Sequence, residues 1–172
     1  MRQARKVDVL ILVGSESDLE VMKPAGEVLD RLGVSWDMTV ASAHRSPGRV
    51  ERLVEEAPRR GVKVFIAGAG AAAHLAGVIA GKTTRPVIGV PIDSSPLGGF
   101  DALLSTVQMP PGVPVATVSV GRSGATNAAV LAAEMLALAD ADLDRRLNEY
   151  KKALARKVEQ GAARLEAGLK AR

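Results

Sequence analysis

Apolar residues follow two rhythms along this chain. Val7-Asp8-Val9-Leu10-Ile11-Leu12-Val13, Val62-Lys63-Val64-Phe65-Ile66-Ala67 and Pro86-Val87-Ile88-Gly89-Val90-Pro91 are short, nearly continuous apolar runs. That is the pattern of strands covered on both faces in a parallel sheet. Stretches at about Ser35 to Ala41 and Val113 to Val120 read as two further strands. Between these runs the spacing changes. From Leu19 to Leu32 the residues Val21, Met22, Ala25, Val28, Leu29 and Leu32 recur at helical intervals, and Gly33 closes the helix. A second helix is predicted from about Pro47 to Arg60, with Val50, Leu53, Val54 and Ala57 on its apolar face. Pro58 should end it early or kink its last turn. A short helix to about Lys82 and helices around Asp101 to Val107 and Gly124 to Ala139 complete the alternation. This βαβα order predicts an α/β protein with a doubly wound parallel sheet.

The stretch 141–172 differs: it is charged and helical, with Leu143, Leu147, Tyr150, Leu154 and Val158 three and four apart. A long terminal helix with a narrow apolar stripe docks either on its own domain or on a neighbouring subunit, and the pattern leaves both open. Fraying is expected beyond Gly161. A chain of 172 residues suits a single domain, here with a core over 7–140 and a helical extension over 141–172.

Composition narrows the function. Aromatic residues make up only 2% of the chain, so the stacking platforms of single-strand nucleic-acid binders are missing. A net charge of +4 is modest, and the basic residues gather mostly at the two ends, mixed with acids in the last helix. This describes solvated faces rather than a DNA groove, and it suits a small anionic substrate. The absence of cysteine excludes disulfides, thiolate nucleophiles and cysteine-ligated metals. No apolar run is long enough to span a bilayer, and Met1 to Lys6 lacks the apolar core of a signal peptide. A cytoplasmic protein with neither a nucleic-acid nor a membrane partner is expected.

Three predicted strand ends carry turns of chemical interest. Gly14-Ser15-Glu16-Ser17-Asp18 joins hydroxyls to free amides at a helix start, a setting for phosphate, with an acid able to bind ribose hydroxyls. The structural alternative is that Ser17 or Asp18 is an N-cap. Ser42-Ala43-His44-Arg45-Ser46-Pro47 sets hydroxyl, imidazole and guanidinium on one turn, groups that bind an anion and move a proton near neutral pH. Ser46 and Pro47 are read as the cap and first residue of the next helix. In the third turn, Gly68-Ala69-Gly70 lets backbone approach a ligand, and His74 stands at the head of the following helix. Taken alone, His74 reads as structural. The stretch is not a dinucleotide fingerprint, because Ala73 replaces the third glycine and no acid follows at the required distance.

Taken together, these turns resemble a known family. Gly14-Ser15-x-Ser17-Asp18, Ser42-Ala43-His44-Arg45-x-Pro47, Ala67-Gly68-Ala69-Gly70-x-Ala72-Ala73-His74-Leu75, Pro86 to Pro91 and Leu104-Ser105-x-Val107-Gln108-Met109-Pro110-x-Gly112-Val113-Pro114-Val115 closely resemble the class I PurE proteins. These are N5-carboxyaminoimidazole ribonucleotide mutases of de novo purine synthesis. The likeness runs from roughly Val7 to Ala139. Arg45 after the histidine, and the Gln108-Met109-Pro110 segment, favour the bacterial mutase over the animal-type enzyme that carboxylates aminoimidazole ribonucleotide directly with carbon dioxide. The sequence departs from the family pattern at Leu19, Gly48, Ala71 and Ala76. Of these, Ala71 adds a methyl beside the expected substrate, so an ordinary right-handed or extended backbone is expected there.

The resemblance implies a three-layer, flavodoxin-like sheet with a long C-terminal helix, assembled as a homo-octamer, and a carboxylate transfer from N5 to ring carbon C4 of a ribonucleotide. It implies no ATP, metal or organic cofactor. Ser17, Ser42 and Arg45 would hold the 5′-phosphate with Ala43 beside them, Asp18 the ribose hydroxyls, and Ser15 the base or its carboxylate. His44 would carry the proton. Gly70, Ala72 and His74 would line the carboxylate side with Leu75 as packing, and the loops Gly68 to Leu75 and Ser105 to Gly112 would form the walls. A direct carboxylase, or a module that holds a mononucleotide without catalysis, are the other readings of the same turns; the shortage of aromatics disfavours a flavin.

Overall fold

The computed structural model describes residues 7–170. Five parallel strands, β1 (Val9–Val13), β2 (Trp36–Val40), β3 (Val64–Gly70), β4 (Val87–Ile92) and β5 (Ala116–Thr117), lie in the order β2-β1-β3-β4-β5. The helices are α1 (Leu19–Arg31), α2 (Pro47–Glu56), α3 (Leu75–Ala80), α4 (Phe100–Val107), α5 (Gly121–Ala137) and α6 (Ala141–Lys170). The chain reverses direction across the sheet at β1, between β2 and β3. In an open α/β sheet that switch point, at the carboxyl ends of the strands, is where a ligand crevice forms.

Alternation along β1 builds the three layers. Val9, Ile11 and Val13 join α1, α5 and the first turns of α6 in one core, whereas Leu10 and Leu12 join α2, α3 and α4 in the other. The strands β1 and β4 are buried along their whole length, as their unbroken apolar runs require. Helices α1 and α5 pack closely because α5 presents Ala125, Ala128, Ala129, Ala132 and Ala133, all fully buried. Trp36, at the start of β2, lies against the bare Cα of Gly26 in α1 and donates from Nε1 to Asp30 (2.8 Å). A Cβ on Gly26 would come within 2.5 Å of its ring.

Several boundaries differ from the periodicity. Pro58 ends α2 at Glu56 rather than Arg60. The expected strand Val113 to Val120 shrinks to Ala116–Thr117. It is an edge strand whose approach carries Pro110, Pro111 and Pro114, which lack the N–H that a ladder uses, and a left-handed Gly112 (φ 90°). Helix α1 runs straight through Pro24, which cannot bond the Glu20 carbonyl. Arg122 of α5 donates to that carbonyl instead, at 2.9 Å.

The C-terminal helix divides in two. Leu143 and Leu147 are buried in the chain's own core, Arg146 donates to the Leu32 carbonyl (2.8 Å), and Arg31 lies over the Tyr150 ring at 5.9 Å. Beyond that point Leu154, Val158, Leu165 and Leu169 are exposed, yet the helix does not fray at Gly161 and continues to Lys170. A second apolar surface, absent from the sequence reading, lies on and before α4, where Leu97, Phe100, Leu104 and Val107 are exposed. Among the described residues no helix is long and apolar enough to cross a membrane.

Candidate active site

The carboxyl ends of β1, β2 and β3 surround a cleft of about 320 Å³. The turn after β1 supplies Ser15, Ser17 and Asp18, the turn after β2 supplies Ser42, Ala43, His44 and Arg45, and β3 with its following loop supplies Gly70, Ala72, His74 and Leu75. Every site residue expected from the sequence therefore lines one cleft. Gly14, Ala69 and Ser94 also line it. Ser94 follows β4 and was not anticipated, since a lone serine after a strand carries little signal. Its position is tied to Gly70, where an added Cβ would fall 1.8 Å from the Ser94 hydroxyl.

The capping alternatives are not realised by side chains. Ser15 precedes a single 3-10 turn (Glu16–Asp18) and Asp18 stands at the cap of α1, yet neither makes a side-chain cap bond. Ser17 instead donates to the Ser15 hydroxyl at 3.0 Å. Pro47 is the first residue of α2, as expected, but Ser46 at the cap position turns away from the helix. Its hydroxyl accepts from the Ser42 amide (3.1 Å) and donates to the Ser42 carbonyl (3.3 Å). The Ser42 hydroxyl accepts from the Arg45 amide at 3.1 Å, which folds the turn on itself and leaves the hydroxyl proton free to be donated.

Asp18 is the buried charged group of the cleft, 4% exposed. Burial pushes its pKa above the usual 3.8, opposed by a hydrogen bond from the Ser15 backbone, the Ser17 hydroxyl and the charge of Arg45. The Arg45 guanidinium reaches the Gly14 carbonyl at 3.4 Å, so it spans from the second turn to the first.

His44 and His74 meet across the cleft. His44 Nε2 and His74 Nδ1 are 2.8 Å apart, and the rings stand edge to face with centroids 5.0 Å apart and planes at 77°. The loop that carries His74 is held from behind. Ala71 is left-handed (φ 52°), contrary to the ordinary conformation expected of a residue with a Cβ. The turn is closed by the Ser105 hydroxyl of α4, which accepts from the Ala73 amide (3.0 Å) and lies 3.4 Å from the Ala71 carbonyl. Ser105 thus supports the wall, whereas the stretch 105–112 contributes no lining residue, a correction to the expected second wall.

A larger hollow of about 710 Å³ opens at the other end of the sheet, lined by Asp8, Lys63, Asp140 and Arg146 among others. Its basic groups are already engaged, Lys63 with Asp8 (2.9 Å) and Arg146 with a carbonyl. Among the described residues no group of three or more acidic or histidine side chains gathers as a metal site.

Residues 8–157 match the family model described as AIR carboxylase. The chain belongs to the AIR carboxylase family. Within this family, a Bacillus subtilis protein named N5-carboxyaminoimidazole ribonucleotide mutase is 56% identical over 139 residues, which span 81% of this chain and 86% of the relative. A Brucella melitensis protein of the same name is 53% identical over 147 residues, 86% of this chain and 91% of that one. The crystal structure of Treponema denticola PurE matches with a TM-score of 0.81 at 28% identity, over 91% of this chain and 97% of that one. The family assignment agrees with the turns from which the resemblance was drawn, and with the order of the strands that carry them.

Proposed function

We propose that this cleft converts N5-carboxyaminoimidazole ribonucleotide to 4-carboxy-5-aminoimidazole ribonucleotide in de novo purine synthesis. The observation that carries the reading is the convergence of a titratable ring, His44, with an anion-binding side (Ser17, Ser42, Arg45) and a buried carboxylate, Asp18, in one small cleft. Two relatives more than half identical, both named for that mutase, support it.

In this reading the 5′-phosphate binds the Ser17 and Ser42 hydroxyls and Arg45, the ribose hydroxyls donate to Asp18, and Ser15 meets the base or its carboxylate. Protonated His44 gives its proton to N5 as the carbamate C–N bond breaks and carbon dioxide leaves. The C4 carbon then attacks the retained carbon dioxide, and the C4 proton returns to the same imidazole. Gly70, Ala72 and His74 line the side where carbon dioxide is held, with Leu75 packed behind. Retention matters because holding two fragments together contributes on the order of 7–11 kcal/mol toward the barrier.

We read the active protein as a cytoplasmic homo-oligomer, an octamer on the family resemblance. The exposed apolar residues of α4 and of the outer half of α6 support assembly. Supplying the purified protein with N5-carboxyaminoimidazole ribonucleotide, and separately with aminoimidazole ribonucleotide plus bicarbonate, tests the function. Turnover of the first alone is expected. Efficient turnover of only the second would make it a direct carboxylase, and binding without turnover of either would make it a nucleotide-holding module.

A further inference from the structure

We propose that His74 is a positioning residue for His44: its Nδ1 accepts a hydrogen bond from His44 Nε2–H, which leaves His44 Nδ1 as the nitrogen that exchanges the proton with substrate. This deepens the mutase reading and rests on His44 being the proton carrier.

The 2.8 Å separation leaves room for one proton between the two nitrogens. Two arrangements meet that condition, and acid–base chemistry at His44 separates them. If His74 Nδ1–H donated, neutral His44 would carry its proton on Nδ1. Protonating it would then place hydrogens on both facing nitrogens and break the contact. If His44 Nε2–H donates, that bond survives in both states of His44, and only Nδ1 changes between N–H and lone pair. The cationic ring gives its Nδ1 proton to N5 as carbon dioxide departs, and Nδ1 takes the C4 proton once the new carbon–carbon bond has formed. His74 neither gains nor loses a proton, and it remains the Nε2–H tautomer throughout. A ring nitrogen held by its neighbour is the usual device for choosing an imidazole tautomer.

The surroundings leave this role to His74. The other charged groups lining the cleft are Asp18, from the turn after β1, and Arg45, from the turn that carries His44. The loop after β4 lends only the uncharged Ser94. Among the described residues no carboxylate bonds either ring, and no protein group bonds His44 Nδ1. The His74 loop is itself fixed, by the left-handed Ala71 and by the Ser105 hydroxyl on the Ala73 amide. His74 is therefore held well enough to hold something else.

The test uses nitrogen-labelled histidine in the ligand-free full chain, with the tautomer read by long-range proton–nitrogen correlation at neutral pH. His44 is expected as the Nε2–H form in the parent and in His74→Asn, whose side-chain oxygen can accept in place of Nδ1. In His74→Leu the single tautomer should give way to a mixture. Its kcat should fall roughly 10- to 100-fold with a smaller change in KM, as for other lost orienting partners, while His74→Asn recovers part of that loss. An Nδ1–H form of His44 in the parent, or an unchanged tautomer in His74→Leu, would overturn the proposal. Because the spectra need no substrate, a parent inactive on both candidate ribonucleotides but showing Nε2–H at His44 would support the hydrogen bond and sink the mutase reading instead.

Discussion

Asp18→Asn probes the cleft from two directions, because the same carboxylate is buried at a cost to the empty fold and is, in the proposed function, the acceptor for the ribose hydroxyls. Its pKa is raised chiefly by burial, against the pull of Ser15, Ser17 and Arg45. A carboxyl raised above its unfolded value adds no penalty below that value, and it weakens the fold as pH climbs through the folded pKa. The empty Asp18→Asn protein should therefore melt at a higher temperature than the parent at pH 7, and the difference should close as the pH falls toward 3.8. Nucleotide binding should move the other way. Hydrogen bonds to a charged acceptor are worth about 1.5–3 kcal/mol, which at ~1.4 kcal/mol per decade is a roughly 10- to 150-fold weaker complex. If Asp18 holds the ribose as proposed, that contact is shared by ground and transition states, and the loss should appear in KM more than in kcat. Thermal melts from pH 3.5 to 8, paired with calorimetry of a ribonucleotide, measure both. A variant that melts lower at pH 7, or one that binds as tightly as the parent, would refute the reasoning.

The other predictions follow from single contacts. Arg45→Ala should raise KM more than it lowers kcat, and an unchanged KM in steady-state kinetics would remove Arg45 from the phosphate site. His44→Asn should fold and bind ribonucleotide while turnover drops by roughly 10²- to 10⁴-fold, the contribution of a general acid–base group; calorimetry beside turnover decides it. Gly89→Ala, in β4, would set a Cβ 2.4 Å from Thr106 Cγ2 and 2.9 Å from Val115 Cγ1. Overpacking of that kind costs about 1–3 kcal/mol, which a denaturant titration resolves. Light scattering at micromolar concentration should return a mass of several chains, and a monomer would contradict the reading of the exposed faces on α4 and α6.

The legible parts of this molecule are those whose cause is local. The strands β1 and β4 announce themselves as unbroken apolar runs because both of their faces are covered, and α2 stops where Pro58 forbids continuation. The cleft was legible as three separate turns, since each joins small or polar residues to the end of a predicted strand. What periodicity missed depends on distant partners. Pro24 would weaken an isolated helix, yet α1 continues through it, and Arg122, far along the chain, takes up the abandoned carbonyl. The left-handed Ala71 sits in a turn that the Ser105 hydroxyl closes from α4, a partner distant in sequence. The contact between His44 and His74 follows from the pairing of β2 and β3 on either side of β1, which no single stretch of sequence encodes.

The position of Trp36 determines what the protein's own light emission can report. It is the only tryptophan, set at the amino end of β2 against Gly26 and Asp30. The cleft begins past the other end of that five-residue strand, roughly 15 Å away at ~3.3 Å per residue. Indole fluorescence therefore follows the seating of α1 on the sheet and serves as an optical gauge of unfolding, whereas occupancy of the cleft, with no indole near the ligand, has to be followed by heat or by the absorbance of the substrate itself.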